Sequence, residues 1–83
     1  MNNQIRPFIL RALRRADGIP TSEETMIQTV QLAFAPPPSM DEVRSILGDL
    51  EAEGFVSAMT DDLTRIRSLV LTPKGTARAV QLR

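Results

Sequence analysis

Apolar residues recur along this chain first with a helical period and then with a period of two. Ile5, Phe8, Ile9, Ala12, Leu13 and Ala16 stand at i, i+3, i+4, i+7, i+8 and i+11. That spacing places them on one stripe and predicts a helix over 3–16, with Pro7 tolerated in its first turn. Asp17-Gly18 stops this helix, and Ile19-Pro20 makes a short extended link able to bridge as a strand of one or two residues. A second helix is expected over 22–35, with Thr21 and Glu24 as a capping box and Met26, Ile27, Val30, Ala33 and Phe34 facing inward. Pro36-Pro37-Pro38 then forbids helix and acts as a stiff spacer. With no second PxxP element, it reads as a connector and not as a ligand for an aromatic groove.

The third helix is predicted over 40–53 and is the best-marked element. Ser39 is its N-cap, Glu42 completes a capping box, and Asp41 and Glu42 put negative charge at the positive end of the helix dipole. Met40, Val43, Ile46, Leu47 and Leu50 form its apolar stripe, and Gly54 supplies the left-handed residue that ends it. Alternation then takes over and predicts a hairpin over 55–71, with the turn at Thr60-Asp61-Asp62-Leu63. On the return strand Arg65, Arg67, Leu69 and Leu71 share one face, basic near the tip and apolar near the base. Thr72 and Pro73 open a short terminal helix over 73–82, with Ala77, Val80 and Leu82 inward. The fold class is mainly α with a small β-hairpin: a three-helix core, a two-stranded hairpin and a short C-terminal helix.

Eighty-three residues suit one small domain. The chain has no Cys and no His, which removes disulfides, thiolate chemistry, the usual metal ligand and the usual acid–base group near neutrality. Asp61-Asp62 is a turn former, and Glu51 and Glu53, two apart on a helix, do not share a face. No catalysis, cofactor or metal is expected. No apolar run approaches the length of a membrane span, at about 18 residues, and the opening residues lack a signal-peptide pattern, so a soluble cytoplasmic protein is expected. Net charge is zero but unevenly spread: residues 1–16 carry four arginines and no acid, 17–62 carry ten acids against Arg44 alone, and 63–83 carry five bases and no acid.

The stretches VRSILGDLEAEGFV at 43–56 and LTPKG at 71–75 resemble two segments of bacterial regulators. These are the recognition helix running through Leu-Glu-x-x-Gly into a strand, and the Leu-Thr-x-x-Gly that follows the hairpin. The resemblance is to the winged helix-turn-helix superfamily, with the MarR and PadR groups nearest in character. It implies a winged helix whose third helix enters the major groove while the hairpin, the wing, follows the DNA backbone. Carried over residue by residue, the DNA-binding set is Ser39, Arg44, Ser45 and Gly48 on the third helix, with Arg65 and Arg67 on the wing. Arg65 and Arg67 suit phosphate contact or, equally, protection of an exposed strand edge. Gly48 suits close approach of an outside backbone, packing against the second helix, or simple tolerance. Asp49, Glu51 and Glu53 run against a DNA-facing helix and support an alternative, an interaction module whose acidic third helix docks a basic protein partner. The long flanking helices such regulators use to dimerise are not among these residues. A homodimer formed through the first and last helices is the expectation.

Overall fold

The computed structural model describes residues 3–82; Arg83, counted in the basic C-terminal segment, lies outside the described residues. The elements are α1 (Ile5–Arg15), β1 (Thr21–Ser22), α2 (Glu23–Ala33), α3 (Met40–Ala52), β2 (Val56–Thr60), β3 (Arg67–Leu71) and α4 (Pro73–Val80). The strands make one antiparallel sheet in the order β1-β3-β2, so the hairpin gains a third strand. That strand lies at Thr21-Ser22, just beyond the Ile19-Pro20 link where a bridge was expected.

The core is built from the apolar stripes of three helices, two strands and Ala79 of α4. Ile5, Ile9 and Leu13 of α1 are buried as the spacing predicts, joined by Leu10, which lies one position off that stripe. Phe8 lies at the core margin and meets the edge of Phe34 with ring centroids 5.4 Å apart. α2 contributes Met26, Ile27 and Val30, while Ala33 is exposed. α2 is shorter than expected because the chain is already extended at Phe34, two residues before Pro36. Its cap is Ser22 and not Thr21: Thr21 is engaged opposite Leu69 in the sheet, and the Ser22 hydroxyl accepts the Thr25 amide at 3.1 Å.

α3 begins as its sequence requires, with Ser39 Oγ accepting the Glu42 amide at 3.1 Å. Val43, Ile46, Leu47 and Leu50 are buried, whereas Met40, in the terminal turn, is half exposed. Its end is a complete Schellman motif. Gly54 stands at φ +83°, its amide donates to Glu51 O, and the Phe55 amide donates to Leu50 O.

The segment 71–75 clasps this end of α3. Thr72 N donates to Phe55 O at 3.1 Å, Thr72 Oγ1 donates to Gly54 O at 2.5 Å, and Lys74 Nζ donates to Glu53 O at 2.7 Å. The Lys74 ammonium also sits 4.7 Å from the centre of the Phe55 ring. Gly75 packs so closely that a Cβ there would stand 1.9 Å from Phe55 O. The two stretches that carried the family resemblance are therefore the two sides of one junction. This junction also sets the roll of α4: Gly75 and Ala79 face inward with Leu82 partly covered, and Ala77 and Val80, expected inward, are exposed.

Candidate nucleic-acid interface

The outer face of α3 carries Ser39, Arg44, Ser45 and Gly48, all exposed. The Ser39 hydroxyl is engaged as the helix cap. A Cβ built on Gly48 meets nothing within 4 Å, so packing against α2 is not what keeps this position small. The result is a shallow, open stretch of helix surface beside Arg44.

The wing differs from the sequence expectation near its tip. β3 starts at Arg67, and Arg65 lies outside it in the left-handed region at φ 62°. The Asp61 side chain causes this by folding the loop 61–66 onto itself, its Oδ1 accepting the amides of Leu63 at 2.8 Å and Thr64 at 2.9 Å. Those backbone donors, Thr64 first, hold the Asp61 carboxyl below its usual range. Arg65 is exposed there and makes no ion pair among the described residues.

Arg44 from α3, Arg65 from the loop and Arg67 from β3 line one groove of about 310 Å³, whose rim also holds Ser22, Glu23, Glu24, Thr64 and Ile66. The three candidate arginines thus converge. Two of them are not free. Glu23 Oε1 accepts from Arg44 Nε at 3.3 Å, and Glu23 Oε2 lies 2.9 Å from Arg67 Nε. Arg67 Nη2 donates to Glu51 Oε1 at 2.5 Å. This bond, reinforced by the charges of Glu51 and Glu23 and opposed by burial, raises the Arg67 pKa further above its ordinary value. Arg67 therefore serves as a cation shared between α2 and α3, a role neither phosphate contact nor edge protection anticipates.

The acids of α3 divide in the same way. Glu51 pairs with Arg67 and Glu53 with Arg6, leaving Asp49 exposed without an ion pair among the described residues. Arg11, Arg14 and Arg15 do not line the groove and border a separate depression of about 250 Å³. Glu23 and Glu51 are the residues that sequence reasoning missed as members of the site. Glu23 is brought in by the pairing of Ser22 with Ser68, which sets the first residue of α2 beside β3. No local pattern announces that register. No group of His, Cys, Asp and Glu among the described residues could hold a metal ion, and no helix among them is long and apolar enough to cross a membrane.

No protein-family model matches the chain, and no curated protein matches it in sequence. Solved structures do match it. MepR, described as a transcription regulator of the Staphylococcus aureus multidrug efflux pump MepA, superposes with a TM-score of 0.78 at 16% identity, over 99% of this chain and 55% of that one. The heme sensor protein PefR from Streptococcus agalactiae gives 0.77 at 16% identity, over 95% of this chain and 50% of that one. FabT of Streptococcus pneumoniae, solved in complex with DNA, gives 0.76 at 15% identity, over 98% of this chain and 51% of that one. The chain thus spans about half the length of these structures. The likeness lies in backbone architecture and not in side chains, and it establishes that this chain has the winged-helix fold of these structures.

Proposed function

We propose that this chain is a small winged-helix DNA-binding protein, a cytoplasmic transcriptional regulator or an accessory factor in DNA transactions, and not an enzyme. The observation that carries this reading is the convergence of Arg44, Arg65 and Arg67 on one groove beside the open face of α3 at Ser45 and Gly48. FabT, which shares this fold, was solved on DNA. In the proposed complex α3 lies in the major groove of a duplex, Arg44 and Ser45 reach base edges, and Arg65 meets phosphate.

Binding should be detectable by fluorescence anisotropy with a pool of random duplexes at about 50 mM salt, with log K falling at most about three units per unit of log salt for three cations. Arg65→Ala should weaken binding to all sequences and flatten that slope by about one, whereas Arg44→Ala should relax preference among sequences. No association at tens of micromolar protein would overturn the reading.

The alternative, an acidic α3 that docks a basic protein, loses support because Glu51 and Glu53 are already paired with Arg67 and Arg6. Asp49, with Asp41 and Glu42 of the first turn, is left to attract such a partner.

A homodimer is also proposed. Ala77 and Val80 are exposed on α4, and Arg6, Leu10, Arg78 and Leu82 border an open groove between α1 and α4. Light scattering at high micromolar concentration should give twice the chain mass; a monomer there would exclude the dimer.

A further inference from the structure

Glu23 is the first residue of α2, yet its side chain turns away from solvent and is only 20% exposed. Its two oxygens are divided between two cations from different elements, Oε1 toward Arg44 of α3 and Oε2 toward Arg67 of β3. Arg65, Ile66, the hydroxyl-bearing residues Ser22 and Thr64 and the exposed carboxylate of Glu24 complete the wall of the same groove. A carboxylate held between two guanidinium groups occupies the position, and carries the charge, that a phosphate oxygen would take there.

We propose that this groove is a binding site for a DNA backbone phosphate and that Glu23 is its built-in competitor, which fills the site in the free protein and is displaced on binding. The proposal rests on the DNA-binding reading and adds the location of a phosphate and the identity of the group that gives way. Arg67 stays in place during the exchange because Glu51 still holds its Nη2 at 2.5 Å, so the site keeps its shape when Glu23 leaves. Among the described residues Arg44 is held only by Glu23, at 3.3 Å, and its side chain is 47% exposed. It is the mobile cation, free to follow the phosphate or turn to a base edge once released.

The exchange has a thermodynamic signature. Each phosphate neutralised by a protein cation releases condensed counterion and steepens the salt dependence by about 0.9. Breaking the ion pairs of Glu23 costs less as salt screens them, which offsets part of this dependence. The unmodified chain should therefore show a shallower salt slope than its three arginines allow.

The experiment compares the unmodified chain with Glu23→Gln, which keeps shape and removes charge, and with Glu24→Gln, which removes the other acid of the same groove, one that makes no ion pair among the described residues. Circular dichroism first confirms that each variant keeps the helical content of the parent. Duplex binding is then measured across a salt series. Glu23→Gln should bind about five- to tenfold more tightly at low salt and steepen the slope, with Glu24→Gln gaining no more than about twofold. Binding by the unmodified chain, with equal gains in both variants, would overturn the competitor while leaving the DNA-binding reading intact. Failure of all three proteins to bind would overturn both. At matched ionic strength, replacing chloride with inorganic phosphate should leave the affinity of Glu23→Gln for duplex within about twofold. A loss of more than about tenfold would assign the site to free phosphate and overturn its assignment to DNA.

Discussion

Gly75→Ala is expected to destabilise the protein by about 3 kcal/mol, although it adds a single methyl group. The added carbon would stand 1.9 Å from Phe55 O and 2.9 Å from Phe55 C, both backbone atoms that cannot rotate aside. Phe55 O accepts the Thr72 amide and Phe55 N donates to Leu50 O, so moving it breaks the join between α3, β2 and α4. Gly48→Ala is the internal control. It adds the same methyl group to a helix position where nothing lies within 4 Å, and it should stabilise by about 1 kcal/mol through helix propensity alone. Urea titrations of the two variants should therefore shift in opposite directions. A Gly75→Ala midpoint equal to that of Gly48→Ala would mean that α4 does not seat against Phe55 as described.

Leu50→Ala should cost on the order of 2–5 kcal/mol, a large share of the 5–15 kcal/mol typical of a whole domain. Leu50 is 1% exposed in the cluster that joins α1, α2, α3 and the sheet. It also lines the groove between α1 and α4 with Leu10 and Phe55, so the core there is thin and cannot collapse onto a void without disturbing the Schellman turn. A loss under about 0.5 kcal/mol by denaturant titration would remove Leu50 from the core.

The features legible in the sequence were those fixed by neighbours along the chain. The stripe Val43, Ile46, Leu47 and Leu50, the Ser39 cap and the Gly54 stop each depend on residues within a turn or two, and each is present. What could not be read depends on contacts far apart in sequence. The choice of Ser22 over Thr21 as a cap was decided by Leu69, which takes Thr21 into the sheet. The inward face of α4 was decided by the approach of Gly75 to Phe55. Arg65 was read as strand because it alternates correctly, but the Asp61 side chain captures the loop before β3 begins. Of the candidate site, the choice of Arg44, Arg65 and Arg67 followed from the fold the sequence resembles, and their meeting in one groove did not. The pairing of two of them with Glu23 did not, because residue charge says nothing of direction until the backbone is placed.

The position of β1 also limits how far the wing extends. β1 pairs only with Ser68 and Leu69, so β3 is flanked on both sides in its middle. Toward the tip only the rung between Arg67 and Thr60 remains, followed by the loop 61–66, which is closed by the Asp61 amide on Ile66 O at 3.0 Å. At about 3.4 Å per strand residue, the part of the wing beyond the three-stranded region projects on the order of 10 Å. Phosphates along one DNA strand are spaced by about 3.4 Å of helix rise, so the wing spans roughly three of them. The longest dimension of the chain, 35 Å, is close to one helical turn of DNA. On DNA, one copy would thus leave a footprint of a single half-site, and recognition of a longer operator would depend on how a second copy is spaced beside it.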